Sequence, residues 1–169
     1  MKCLGVDIST SSIGFCQMDL FGLTAFSVDL HLYESHKYRR EIIRESLLLF
    51  NPDFIVLESV RLFHRNFINV DVIKRLGGIT YLIVDFFGCP VYNIDVRSWK
   101  SIIFGTRHIT KTNNKVEKEA LRQKEKDYSI CYIEKKYDII GNNDLADSIC
   151  LAEVGMLKKR YENKFKRIE

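Results

Sequence analysis

Phe54-Ile55-Val56-Leu57 is apolar at four consecutive positions and then stops on Glu58. A strand with one wet face alternates apolar and polar residues, whereas an unbroken apolar run belongs to a strand covered on both sides. The segment therefore reads as a central, parallel strand, with helices above and below it and a carboxylate at its carboxyl end.

The flanking sequence supplies the rest of such a fold. Residues 2 to 8 are short and apolar, residues 12 to 19 follow the turn-prone Ser9-Thr10-Ser11-Ser12, and residues 23 to 29 follow Phe21-Gly22. Three consecutive antiparallel strands are the economical reading. Residues 35 to 50 place Ile43, Leu47 and Phe50 on one helical face, and Asn51-Pro52 ends that helix. Beyond Glu58, a helix over about residues 69 to 87 leads to a fifth strand, Cys89-Pro90-Val91-Tyr92-Asn93-Ile94. A short helix over 96 to 104, a polar loop from Gly105 to Asn114, a charged helix over about 115 to 126 and a last helix over about 143 to 160 complete the chain. Asn142 and Asn143 suit the start of that last helix. The expected fold is α/β, a mixed five-stranded sheet of a three-strand antiparallel meander plus two parallel strands, flanked by helices. With 169 residues, 46% of them hydrophobic, it fills one domain, residues 1 to 169.

The formal net charge of +4 leans toward an anionic partner. Cys3, Cys16, Cys89, Cys131 and Cys150 form no Cys-x-x-Cys pair and sit mostly in apolar runs, which fits small core residues in a reducing compartment. The four histidines lack metal-ligand spacing. No run approaches the roughly 18 apolar residues of a membrane span, and Asp7 falls too early for a signal-peptide core. A cytoplasmic protein is expected.

Four carboxylates carry the functional argument. Asp7 lies on the first strand, Glu58 ends the central one, and Asp144 and Asp147 are three apart at the start of the last helix, where positions i and i+3 share a face. Taken singly, Asp7 could cap a turn, Glu58 end a solvated strand, and Asp144 or Asp147 oppose a helix dipole. Taken together, packing of that helix start against the two strands would converge four like charges, which raise one another's pKa unless a cation neutralises them. Hard oxygen donors favour Mg²⁺, with Mn²⁺ as a substitute, and two such ions roughly 3.5 to 4 Å apart are a known device for phosphodiester hydrolysis.

At this point the residues resemble the RuvC family of Holliday junction resolvases, within the RNase H-like superfamily. Leu4-Gly5-Val6-Asp7-Ile8-Ser9 is similar to that family's opening strand, Val56-Leu57-Glu58-Ser59-Val60 to its central acidic strand, and Asp144-Leu145-Ala146-Asp147-Ser148 to its final acidic helix. Asn69 with Leu76-Gly77 has the spacing of the helix that forms much of the family's homodimer interface. Lys100 to Gly105 and Asn114-Lys115-Val116 resemble the segments carrying its basic active-site residues. The resemblance implies a homodimer holding one or two Mg²⁺ per site on Asp7, Glu58, Asp144 and Asp147. Lys100 or Lys115 would assist, and symmetric strands of a four-way junction would be nicked to leave 5′-phosphates. The chain departs from the family where Arg61 stands near the position of a stacking phenylalanine, and in a longer loop from Gly105 to Asn114, which keeps Lys111 and Lys118 as alternatives to Lys115. Small size and the departure after Glu58 would fit a divergent viral or mobile-element member, such as a phage-encoded one.

Arg61, His64, Arg65, Lys74 and Arg75, interleaved with Phe63 and Phe67, have the composition of a surface that holds phosphates and stacks bases; a solvated loop whose phenylalanines plug the core has the same composition. The run Lys158-Lys159-Arg160 with Lys164, Lys166 and Arg167 reads as a basic helix end with a supporting electrostatic role. Three other functions stay open. One is an RNase H-like nuclease with relaxed preference among forks, flaps and RNA. The second is a catalytically silent DNA-binding module. The third is an actin-like ATPase, whose phosphate-binding hairpin the segment Asp7 to Gly14 also resembles.

Overall fold

The structure is a computed structural model, and it describes residues 1–33, 35–59, 70–105 and 115–168. The three leading strands are β1 (Cys3–Ile8), β2 (Ser12–Met18) and β3 (Leu23–Asp29). They form the expected meander, with Asp7 opposite Gly14 and Phe15 opposite Phe26. After a 3-10 turn at Leu30–Leu32 and helix α1 (His36–Leu47), the apolar run becomes β4 (Phe54–Glu58), parallel to β1. Helix α2 (Val70–Phe87) returns the chain to β5 (Val91–Ile94), parallel to β4. Then come α3 (Val96–Phe104), α4 (Lys115–Tyr137) and α5 (Asn143–Met156).

The expected count of five strands is corrected to six. Phe165–Ile168 forms β6, antiparallel to β5, and the sheet order is β3-β2-β1-β4-β5-β6. The predicted helix over 143 to 160 stops at Met156, and 3-10 turns over Lys158–Lys164 swing the chain back to the sheet edge. The strand is hard to see in sequence because Phe165 and Ile168 are its only apolar residues and face opposite sides. Phe165 packs with Tyr92 on the α5 side, while Ile168 joins the core on the other side. Lys166 and Arg167 are exposed on this edge, as charges on edge strands commonly are.

The sheet divides two cores, and strand parity decides which residue enters which. Leu4, Val6, Ile13, Phe15, Ile55 and Leu57 point to the side of α1 and α2. Cys3, Cys16, Met18, Phe54 and Val56 point to the side of α5. Because successive side chains alternate, Asp7 on β1, Ser12 and Gly14 on β2, and Glu58 on β4 all fall on the α5 side.

Two glycines let α5 lie directly on the sheet. A Cβ on Gly5 would collide with the backbone of Ser148 and Ala152, and one on Gly14 would collide with the carbonyl group of Asp144. Backbone-to-backbone approach of this kind leaves room for no side chain between helix and strand. It fixes the first turn of α5 over the carboxyl end of β1. Among the described residues, no helix is long and apolar enough to cross a membrane.

Candidate active site

Val6 pairs with Leu57 as the last residues in the parallel β1–β4 register, so Asp7 and Glu58 are the next residues on two adjacent strands. Both face α5, and neighbouring strands lie roughly 5 Å apart. Above them, Asn142 caps α5 by accepting from the Leu145 amide at 2.9 Å, which starts the helix one residue before Asp144 is needed. Asp144 is half-buried in the first turn, and Asp147 follows, buried to 7% exposure.

The four carboxylates act on one another. Burial pushes Asp7 well above the usual carboxylate range, and the charges of Asp147, Glu58 and Asp144 push it further. Glu58 is raised by burial and then by Asp147, against a hydrogen bond from Trp99 that lowers it. Asp147 is raised chiefly by burial and additionally by Asp144. Lys100, on the first turns of α3, pulls all three downward and is thus the shared counter-charge of the group.

Each carboxylate has a distinct set of neighbours. Ser12 Oγ donates to Asp144 Oδ2 in a short hydrogen bond. The Trp99 indole donates to Glu58 Oε2 at 2.8 Å. Asn143 Nδ2 donates weakly to Asp147 Oδ2 at 3.4 Å, while Asp147 Oδ1 is buried with no hydrogen-bond partner among the described residues. Ser129 on α4 lies near enough for its hydroxyl to favour the ionised Asp147, yet Ser129 Oγ completes no hydrogen bond of its own. A buried carboxylate oxygen without a donor is costly unless something else meets its charge. The donors here are all hard oxygens, which fits a divalent cation such as Mg²⁺ in chemistry. Among the described residues, no three Asp, Glu, His or Cys side chains stand close enough to form a closed coordination shell. The carboxylates are gathered, and an ion would have to draw them in.

The remaining predicted residues fall into three groups. Lys100 joins the carboxylates. Lys74 and Arg75 are exposed in the first half of α2, whose apolar side packs on the opposite face of the sheet from α5, so the fold does not bring them among the acids. Arg61, Phe63, His64, Arg65, Phe67 and Lys111 lie outside the described residues. Lys115 and Lys118 belong to the first turns of α4, and their side chains also lie outside the described set. Sequence reasoning missed Ser12 and Trp99. Ser12 could have been found from strand parity, being two residues before Gly14 on the Asp7-facing side; Trp99 had no such signal.

No family model matches the chain, and no curated protein sequence does. Solved structures do match. The structure of Thermus thermophilus RuvC superposes with a TM-score of 0.65 at 19% identity, covering 99% of this chain and 100% of that one. The same protein in complex with Holliday junction substrate gives 0.69 at 18% identity, covering 99% of each chain. This chain has the RuvC fold. The fowlpox virus Holliday junction resolvase is more distant, with a TM-score of 0.52 at 17% identity over 94% of this chain and 99% of that one. RuvC is an RNase H-like protein, so the expected fold class stands, widened by the edge strand β6.

Proposed function

We propose that the chain is a structure-specific DNA endonuclease. As one RNase H-like domain spanning residues 1 to 169, it would resolve four-way or related branched junctions by metal-dependent phosphodiester hydrolysis. It would act as a homodimer, nick symmetric strands and leave 5′-phosphate ends. The observation that carries this reading is the gathering of Asp7, Glu58, Asp144 and Asp147 at one end of one sheet face, with Lys100 as a counter-charge to three of them. The Thermus thermophilus protein of the same fold is bound to a Holliday junction, which supports a branched substrate.

Asp7, Glu58, Asp144 and Asp147 would hold one or two Mg²⁺ ions, with Mn²⁺ as a substitute. A bound divalent ion supplies a hydroxide-like nucleophile near neutral pH and neutralises phosphate charge. The chain's own residues do the positioning. Ser12 and Trp99 each hold one oxygen of a carboxylate and so fix how Asp144 and Glu58 present the other. Lys100 stands ready for the charge that grows on a phosphate oxygen during cleavage, with Lys115, Lys111 or Lys118 as a second cation. The apolar floor of Val56, Ile94 and Trp99 keeps bulk water from beneath the site, which strengthens each of these interactions.

DNA beyond the cut would be held by phosphate contacts. Arg61, His64 and Arg65, with Phe63 and Phe67 as stacking surfaces, follow Glu58 directly in sequence, and Lys74 and Arg75 extend that basic run onto α2. The exposed β6 edge adds a weaker positive field.

The deciding experiment pairs cleavage with binding. Asp7→Asn and Glu58→Gln proteins, assayed in Mg²⁺ on four-way junctions, forks, flaps, linear duplex and RNA:DNA hybrid, should lose cleavage by at least about a thousandfold while junction affinity stays within a few-fold. Near-wild-type cleavage by either variant would remove that residue from the site. Equal wild-type activity on every branched form would keep the nuclease and retire junction specificity. ATP binding by the wild-type protein would favour the actin-like alternative instead.

A further inference from the structure

We infer that Trp99 is a positioning residue for Glu58, holding one carboxylate oxygen so that the other alone faces the metal. This deepens the metal-dependent reading above and rests on it. Trp99 is the only tryptophan in the chain and is fully buried on α3, its ring tilted against Phe104 at 6.2 Å between centroids. An indole has one donor and no acceptor. In this core the donor goes to Glu58 Oε2 at 2.8 Å, a bond that links α3 to the end of β4 across 41 residues of sequence. A side chain wanted for volume alone could be phenylalanine or leucine, which would bring no N–H to satisfy. Tryptophan adds the demand for an acceptor, and here a carboxylate of the candidate site meets it.

The arrangement has the features of an outer contact that orients a metal ligand. Glu58 sits at a strand end with a flexible side chain, and fixing Oε2 removes most of its rotational freedom. Among the described residues, no hydrogen bond reaches Oε1. The adjacent Lys100 places its ammonium 5.2 Å from the centre of the same indole ring, so one turn of α3 delivers both the donor that holds Glu58 and the cation shared by the acidic group. The ordinary alternative is a core tryptophan that found the nearest acceptor. That alternative predicts a loss of packing and no change in metal affinity.

A sole tryptophan bonded to a candidate ligand is also its own probe. The full-length protein, stripped with EDTA, would be titrated with Mg²⁺ and separately with Mn²⁺, following tryptophan emission and, in parallel, thermal unfolding by circular dichroism. The expected wild-type result is a saturable emission change with the same half-point as the rise in unfolding temperature. Trp99→Phe keeps an aromatic ring in the core and, read from the thermal shift because the variant has no tryptophan emission, should raise the metal concentration at half-effect by roughly tenfold, with the EDTA form still folding cooperatively. An unchanged half-point in Trp99→Phe would overturn the inference. If that variant does not fold, wild-type emission decides: a metal-induced thermal shift without any emission change is equally fatal. A protein whose stability and emission both ignore the two ions would remove the metal reading itself, and this inference with it.

Discussion

Asp7, Glu58 and Asp147 hold their protons more tightly in the folded chain than free carboxylates do, first because they are buried and then because they face one another. Groups with raised folded pKa favour the native state at low pH, and that stability is lost as pH climbs from their ordinary values of 3.8 and 4.5 through the raised ones. In EDTA the protein should therefore unfold at a higher temperature near pH 5 than near pH 8, and Mg²⁺ should recover most of the difference at the higher pH. Asp7→Asn should flatten this profile and raise the EDTA unfolding temperature near pH 8 by a few degrees. Thermal melts across pH check the sign, and stability that rises steadily up to pH 8 in EDTA would contradict it. The acids stand out in sequence because an ionisable residue in or ending an apolar strand, or repeated at i and i+3 near a helix start, is a local signal; Lys100 comes only from the resemblance to the family's basic segment. Ser12 and Trp99 were not legible, because their partners Asp144 and Glu58 are remote along the chain and a hydrogen bond leaves no periodicity.

The elements follow the same division. The meander, β4 and the start of α5 could be read because alternation, an unbroken apolar run and a capping asparagine are all local signals. The sequence ends α4 near residue 126 because Tyr128, Ile130, Cys131, Tyr132 and Ile133 are indifferent helix formers, whereas the helix runs to Tyr137. Packing overrides that preference. Tyr132 and Tyr137 both donate to Glu153 of α5 at 2.8 Å, and Ile133 is fully buried between the helices. The seat of α5 on the sheet depends on glycine in the same non-local way. Gly14→Ala would force the Asp144 carbonyl away from β2, at a cost on the order of 3 kcal/mol. The expected outcome is a lower denaturation midpoint together with lost cleavage, because the first two turns of α5 carry two of the four acids. A Gly14→Ala protein of wild-type stability and activity would show that this close approach does not set the site.

At the scale of the whole molecule, α2 covers one side of the sheet with Ile79, Leu82 and Ile83 yet also exposes Tyr81 at 71% and Phe86 at 37%. Among the described residues, nothing stands within 4 Å of a would-be Cβ on Gly77 or Gly78. A helix apolar on more than its buried stripe fits a self-complementary contact. Light scattering should report a dimer for the wild-type protein and a monomer for Tyr81→Glu, whose fold stays intact because that side chain is outside the core; a wild-type monomer at micromolar concentration would count against paired sites. A dimer would serve the proposed reaction, since two nicks on opposing strands need two acidic centres. The most direct measurement is Mg²⁺-dependent cleavage of a strand-labelled four-way junction by the wild-type protein and by Asp144→Asn. Paired nicks at symmetric positions with 5′-phosphate ends, absent in Asp144→Asn, are the predicted result. No cleavage of the junction in either Mg²⁺ or Mn²⁺, or undiminished cleavage by Asp144→Asn, would contradict it.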